Sequence, residues 1–194
     1  MIKGILENEL FYCNHLGTSE RDEQDIMKFT VKNADTGDGL VDYIQHFAFA
    51  EEDAGVMRTY LVRAKDTDEL VGYFSLKAGL VSTNEVESDD GIVFDTVPGA
   101  ELANFAVNYS FVKKYDINGL GSVIFENFVV PIIKKASCDI GLRIIYLFAL
   151  PYEKLIETYS DYGFRRLTPK SEDELHKRLK PRYDESCIFM FQQL

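Results

Sequence analysis

The residue types that build cross-links or metal sites are scarce in this sequence. Its 194 residues include three cysteines and three histidines, and it also has no tryptophan. The cysteines, Cys13, Cys138 and Cys187, are odd in number, lie far apart and form no CxxC pair. This spacing disfavours a disulfide framework or a zinc site and favours reduced thiols, as in a cytoplasmic protein. The histidines share no motif, so no Ser-His-Asp triad is predicted.

Positive charge is also scarce. Lysine and arginine total 21 against 32 aspartates and glutamates, which gives a net charge of −11. Nucleic-acid binding needs a field of basic side chains, so the composition disfavours it. The charge is compatible with a cationic partner, such as an amine substrate, although an acidic surface commonly serves solubility.

Long apolar runs are missing too. No run reaches the roughly 18 residues of a membrane span, and the start, MIKGILENEL, lacks the apolar core and cleavage site of a signal peptide. Hydrophobic residues nevertheless make up 46% of the chain, enough for a packed core in one domain. The acidic residues Asp89, Asp90 and Asp95 do not match calcium-loop spacing, so no metal site is predicted.

Apolar periodicity predicts helix, strand, strand, strand, helix, strand, helix and strand, in that order. Hairpins followed by a β-α-β unit indicate a mixed α/β sheet with helices packed on it. Residues 83–99 are predicted to form a long acidic loop, and the first 38 residues show only a helix start near Thr18 or Ser19. The predicted elements are helix 40–53, strands 58–65, 70–82 and 100–110, helix 119–136 kinked or interrupted at Pro131, strand 142–150, helix 152–163, a charged helix or excursion after it and a final strand over ESCIFMFQQL.

Four stretches in this order, ELVGYFSLKAG, AELANFAV, DINGLGSVIF and LIETYSDYGF, resemble motifs of the GNAT N-acetyltransferase family. The likeness is strongest over residues 56–191. It implies a mixed, mostly antiparallel central sheet that splays between its fourth and fifth strands, with helices on both faces. It also implies one domain over 1–194, in which an N-terminal strand and helices within 1–55 shape the acceptor side.

The resemblance places acetyl-CoA, as co-substrate, where these strands part. The backbone of Phe105, Ala106 and Val107 would pair with the pantetheine arm, and the N–H near Val107 would stabilise the oxyanion. The diphosphate would sit on the N–H groups at the start of a helix, which attract anions. The residues implied there are Asn118, Gly119, Leu120, Gly121 and Ser122.

Two features of this loop leave alternatives open. Without the other motifs, Gly119-Leu120-Gly121 is equally compatible with a turn that only begins a helix and with a cradle for phosphate. The family usually has arginine or glutamine where this chain has Asp116, and Lys113 and Lys114 are candidates for the missing positive charge. The stretch before Gly119 is about four residues longer than in typical members, which predicts a longer loop.

The resemblance also implies two catalytic residues. Tyr159, in the Y-x-x-x-G-F signature, would protonate the departing thiolate; the alternative is a tyrosine packed on the sheet. Glu101 lies six residues before Val107, where some members carry a catalytic glutamate, and would act as base. On a strand it shares a face with Phe105 and Val107. The alternative is a solvated residue near the start of a strand.

Together these features predict a cytoplasmic N-acetyltransferase that acts by direct attack of an amine on acetyl-CoA. No cysteine occupies a motif position, so an acyl-enzyme is not expected. Toxin-like GNAT proteins acetylate aminoacyl-tRNA, but the charge of −11 favours a small-molecule or protein amine. No nucleic acid or membrane partner is predicted, and a homodimer is left open. The alternative is a non-catalytic module of this fold that binds CoA or a protein.

Overall fold

The structure is a computed structural model that describes residues 5–88, 91–179 and 184–194, with side chains outside 83–95. It divides into two compact units, which we describe separately. The first comprises Met1–Lys77 and Leu102–Ile132, and the second comprises Ala78–Glu101 and Ile133–Leu194.

The helices and strands follow each other in mixed order along the chain. Their bounds are β1 Leu6–Glu7, β2 Phe11–His15, α1 Asp22–Ile26, α2 Ala34–Asp42, a π turn Tyr43–Phe47, α3 Ala48–Asp53, β3 Arg58–Ala64, β4 Leu70–Ser88, β5 Gly91–Val107, α4 Tyr109–Tyr115, α5 Leu120–Ile124, a second π turn Phe125–Val129, α6 Val130–Asp139, β6 Ile144–Ala149, α7 Glu153–Asp161, β7 Arg165–Arg166, α8 Pro169–Arg178 and β8 Ile188–Gln193.

Strand pairing is mixed, which confirms the predicted α/β class. In the first unit, β1, β2, β3 and β4 pair in sequence, each antiparallel to the next. In the second unit the strand order is β4-β5-β6-β8-β7. There β6 is parallel to β5 and antiparallel to β8.

Each unit has its own apolar core. In the first, Ile26, Phe29, Tyr43 and Ile44 from the N-terminal helical region pack with strand residues such as Tyr73. In the second, strands and α8 contribute Val81, Ile144, Tyr146, Phe189 and Leu175.

A buried ion cluster explains why the polar N-terminal segment folds. Arg63 on β3 is only 3% exposed, and its guanidinium lies 2.7 Å from a carboxylate oxygen of each of Asp22 and Asp25. Asp22 also accepts the N–H of Gly17 at 2.9 Å. A buried charge is tolerated when it is paired and hydrogen-bonded, so this cluster attaches α1 to the sheet.

Several predicted boundaries were wrong. Residues 83–88 and 91–99, predicted as loop, continue β4 and β5, while Asp89 and Asp90 lie outside the described residues. The helix predicted from Leu40 begins at Ala34 and includes a π turn. Strands β1 and β2 were not located in advance. The predicted hairpin, β6, α7 and the final strand are confirmed.

The helix predicted across Pro131 is present, with a π turn just before the position where a kink or an interruption was expected. The N–H of Val130 donates to the carbonyl of Phe125, five residues back. Proline lacks an N–H and its ring clashes with the carbonyl four residues earlier. A wider turn just before Pro131 accommodates both defects and lets the helix continue.

No single helix among the described residues has the length and apolarity of a membrane span. One sharply bent pair, Tyr109–Tyr115 with Leu120–Asp139, reaches that threshold only when its two helices are taken together.

Candidate functional site

Strand β5 has an edge that is only partly paired. Its parallel ladder with β6 consists of Gly99 with Ile144, Ala100 with Ile145, and Glu101 with Tyr146. β5 then continues through residues 102–107, and in the described part of the chain no strand pairs with that edge there. Backbone groups along this edge are therefore available to an extended ligand.

The direction of those groups follows from a hydrogen bond just after the strand. Asn108 donates its N–H to the carbonyl of Val71 on β4 at 2.8 Å. Backbone polar groups of successive strand residues point to opposite edges. The N–H groups of Val107 and Phe105 consequently point away from β4, toward the open edge.

The segment after β5 was predicted as a long loop, and this is wrong: it forms α4. Asn108 caps the helix by accepting the N–H of Ser110 at 3.2 Å, and its amide donates to the carbonyl of Leu70 at 2.8 Å. Asp116 ends the helix in the left-handed conformation, with φ 51°. The extra residues of this chain are thus one short, capped helix. An Asn at the start of N-Y-S-F was the signal that predicts it.

Gly119 marks the start of the next helix, which runs from Leu120 to Asp139. Its φ is 79°, a conformation that favours glycine, and no side chain caps this end. Gly119 and Asn118 are exposed, and no described heavy atom lies within 4 Å of the position of a Cβ on Gly119. The first N–H groups of a helix lack acceptors within it, so this end can receive an anion.

The two lysines considered for charge near this loop differ in their contacts. Lys114 places its Nζ 2.6 Å from Glu69, whose carboxylate also accepts the Tyr115 hydroxyl at 2.5 Å. These two donors, Lys114 first, lower the pKa of Glu69. Lys113 is exposed and has no partner among the described residues. Of the pair, Lys113 is the better candidate for a phosphate contact.

Gly72, which sequence reasoning did not single out, controls how this region packs. A Cβ there would lie 2.7 Å from the carbonyl oxygen of Ala106 and 2.7 Å from the side chain of Ile124. Gly72 therefore lets β4, β5 and α5 approach closely. A glycine inside the strand pattern LVGYF is the signal that indicates such an approach.

Tyr159 belongs to a glycine-terminated helix end. Phe164 donates its N–H to the carbonyl of Tyr159 at 3.0 Å, and Gly163 donates to Ser160 at 2.9 Å. Gly163 has φ 92°, and the rings of Tyr159 and Phe164 lie 5.8 Å apart. These are the bonds and the apolar contact of a Schellman cap. The Y-x-x-x-G-F pattern thus has a structural role besides any catalytic one.

The Tyr159 hydroxyl is suited to remain protonated. Burial, and secondarily the nearby Tyr162, raise its pKa above the ordinary value of 10.0. Among the described residues the hydroxyl has no hydrogen-bond partner, while its ring contacts Tyr162 and Phe164. A neutral phenol with an unused donor fits a proton donor, although packing alone also explains the ring.

Glu101 is held at the end of the β5–β6 ladder. It is half-buried, and its Oε2 accepts the phenol of Tyr146 at 3.2 Å. Beyond it, residues 102, 104 and 106 are buried and alternate with partly exposed residues 103, 105 and 107, as expected of a strand with two faces. Within the described residues, no group of three or more His, Cys, Asp or Glu side chains forms a potential metal site.

No protein-family model matches the chain. Several solved structures do resemble it. A variant of KacT with phenylalanine in place of a tyrosine shares 17% identity over 95% of both chains, with a TM-score of 0.67. AtaTR bound with acetyl-CoA shares 16% identity over 94% of both chains, with a TM-score of 0.67. The chain has the GNAT fold.

A third structure of this fold includes a nucleic acid. AtaT complexed with acetyl-methionyl-tRNAfMet shares 15% identity with this chain, covers 92% of it and 93% of AtaT, and has a TM-score of 0.64. At these identities the likeness concerns the fold of the chain.

Proposed function

We propose that this protein is a cytoplasmic N-acetyltransferase that transfers the acetyl group of acetyl-CoA to a primary amine in a ternary complex. The observation that carries the proposal is the open edge of β5 together with the uncapped helix start at Gly119, both in the first unit. The acetyl-CoA complex of AtaTR, which has the same fold, supports it.

The first unit would hold the co-substrate mainly through its backbone. The pantetheine arm would extend along Phe105, Ala106 and Val107, whose N–H and C=O groups alternate between the edges of β5. The diphosphate would be bound by N–H groups from Asn118 to Ser122, where the helix dipole attracts negative charge. The exposed Lys113 would add an ionic contact.

Two side chains would carry out the proton transfers. The amine nitrogen forms a bond to the thioester carbon, and the N–H of Val107 stabilises the resulting oxyanion. Glu101 takes the proton from the attacking nitrogen, directly or through a water. When the carbon–sulfur bond breaks, Tyr159 gives its proton to the thiolate of CoA. The three free cysteines have no part in this scheme.

The acceptor we favour is an amine on a small molecule or a protein. The net charge of −11 attracts cations and opposes a polyanionic partner. The amino group of aminoacyl-tRNA is the second candidate, because AtaT of the same fold is known in complex with acetyl-methionyl-tRNAfMet.

A non-catalytic CoA-binding module is the alternative, motivated by Asp116 in place of a family arginine or glutamine. Asp116 is exposed and serves as the left-handed cap of α4. This gives it a structural role that does not require a diphosphate contact.

The test begins with binding. Acetyl-CoA at millimolar concentration should raise the melting temperature of the protein, and no shift would contradict both the enzyme and the CoA-binding module. CoA release is then measured with polyamines, amino acids, lysine peptides and charged tRNA as acceptors. Turnover with an amine or peptide supports the main proposal, and turnover with tRNA alone supports the second candidate. Binding without turnover on the whole panel favours the module.

A further inference from the structure

The side chain of Tyr146 lies in a slot formed by two glycines of neighbouring strands. A Cβ on Gly79 of β4 would collide with the Tyr146 hydroxyl, and a Cβ on Gly99 of β5 would lie 3.0 Å from Cδ1 of its ring. Glycine inside a strand is destabilising relative to alanine. Glycine at both positions therefore makes room for this ring and for the reach of its hydroxyl.

The slot holds the phenol in one place. Tyr146 is 1% exposed, and its ring stacks on Phe189 with centroids 5.7 Å apart. Burial, and then the charge of Glu101, raise the pKa of the Tyr146 phenol. The phenol consequently keeps its proton and donates it in the 3.2 Å hydrogen bond to Glu101 Oε2.

The position of this bond in the sheet is informative. Glu101 and Tyr146 are Cα partners in the last pair of the β5–β6 ladder. The open edge of β5 begins with the next residue. A carboxylate has about four lone-pair sites on its two oxygens, so the bond to Tyr146 uses one of these sites and orients the group.

We propose that Tyr146 is a positioning residue for Glu101, which its phenol orients as the base of the acetyl transfer. The inference rests on the proposed function. In the reaction Tyr146 neither gains nor loses a proton. The amine proton passes to Glu101, the new bond joins nitrogen to the acetyl carbon, and the thiolate receives its proton from Tyr159.

A double-mutant cycle on the full-length protein tests this role. Tyr146→Phe removes only the hydroxyl and should lower kcat about tenfold to a hundredfold, the effect of a misplaced catalytic group. The KM for acetyl-CoA should not change. Glu101→Gln should lower kcat at least as much, and the double variant should be no slower than Glu101→Gln alone, since a positioning residue has nothing left to position.

Two further variants separate positioning from general damage. Tyr73→Phe is a matched control in the first unit, because it removes a fully buried hydroxyl that donates to the carbonyl of Leu40 at 2.6 Å; it should leave kcat unchanged. Gly79→Ala keeps Tyr146 but displaces its hydroxyl, so it should reproduce the loss of kcat. In the Tyr146→Phe background it should have a much smaller effect. Melting temperatures establish that each variant is folded.

The outcomes are distinguishable. If the wild type turns over, two results would overturn the role of Tyr146 and leave the acetyltransferase proposal intact. One is that the losses of kcat in the two single variants multiply in the double variant. The other is that Tyr146→Phe keeps the full kcat. Acetyl-CoA binding by the wild type with no turnover on the acceptor panel would overturn both.

Discussion

Gly119 and Gly163, which both adopt the left-handed conformation at a helix end, differ in a way that shows what a glycine motif means. Gly119, in the first unit, begins a helix with φ 79°, and Gly163, in the second unit, follows one with φ 92°. At Gly163 the orphan carbonyls of Tyr159 and Ser160 accept hydrogen bonds from within the chain. At Gly119 no side chain caps the first turn.

The same backbone conformation therefore serves opposite purposes. The C-terminal glycine completes a local hydrogen-bond pattern, so its value is stability. The N-terminal glycine begins a helix whose first turn has no side-chain cap, and this is the basis of the anion site proposed there. If this distinction is correct, substitutions at the two sites should separate binding from stability.

The largest expected effect is at Gly119. Gly119→Glu should lower the affinity for acetyl-CoA more than about a hundredfold, because a carboxylate would repel the diphosphate and the strained backbone would lose its N–H geometry. Titration calorimetry measures this. Gly55→Glu is the matched control, since Gly55 has φ 68° and no described heavy atom within 4 Å of its Cβ position. Equal losses of affinity in both variants would refute the phosphate site.

Tyr159→Phe should lower kcat about a hundredfold, the contribution typical of a general acid, while acetyl-CoA affinity and melting temperature change little. The ring that packs on Phe164 is kept. Tyr162→Phe removes a hydroxyl from the same helix end and should have little effect on kcat. If Tyr159→Phe kept full activity, the Y-x-x-x-G-F signature would have only its structural role as a helix cap.

Lys113→Ala should weaken acetyl-CoA binding several-fold, by about 1 kcal/mol, as expected for one ionic contact near the surface. Lys114→Ala should have a smaller effect, because Lys114 is already paired with Glu69. The difference should shrink in high salt. If Lys114→Ala weakened acetyl-CoA binding more than Lys113→Ala, Lys114 would have to leave Glu69 and contact the ligand when acetyl-CoA binds.

Gly163→Ala should reduce the free energy of unfolding by about 1–2 kcal/mol, the cost of a left-handed non-glycine residue. The new Cβ would meet only ordinary contact, 3.4 Å from Gln192 Oε1. Denaturant unfolding measures this loss. Acetyl-CoA affinity should be unchanged, and a large drop in affinity would break the contrast with Gly119.

The smallest effect concerns pH. Because burial raises the pKa of Tyr159 above 10.0, the phenol remains protonated as pH rises from about 8 to about 10. The kcat at saturating amine should therefore not fall over that interval. A decrease of kcat over this interval that is absent from Tyr159→Phe would show that the phenol loses its proton at a lower pH than its surroundings indicate.

Local signals predicted much of this structure. The Gly119 helix start, the Gly163 helix end and the hairpin of β3 and β4 all follow from residues close together in sequence, as capping and turn chemistry do. The assignment of 83–99 as a loop was wrong because the prediction gave more weight to the acidic composition of this segment than to its capacity to form paired strands. The seven-residue α4 was missed although Asn108 is a good helix cap.

The candidate site was predicted unevenly for a related reason. Its backbone parts, Phe105–Val107 and the Gly119 loop, are contiguous segments. The contact of Glu101 with Tyr146 joins residues 45 positions apart, and the slot beneath the phenol needs Gly79 and Gly99 as well. Of these residues only Glu101 was singled out from the sequence, and only packing relates it to the other three.

By itself, the sequence determined where the Gly119 helix begins and where the Gly163 helix ends, the apolar segments of β3, β4 and β6, and the order of motifs that indicates the GNAT fold. Tertiary structure alone decided that the pairing of β5 with β6 ends at Glu101, where the resemblance had implied only that these strands part. It also decided that Arg63 is buried with Asp22 and Asp25, and that Lys113 rather than Lys114 is unpaired among the described residues. The physical reason is the distance along the sequence over which each kind of interaction acts. Caps and turns depend on neighbours within a few residues, whereas pairing and burial depend on side chains that only folding brings together.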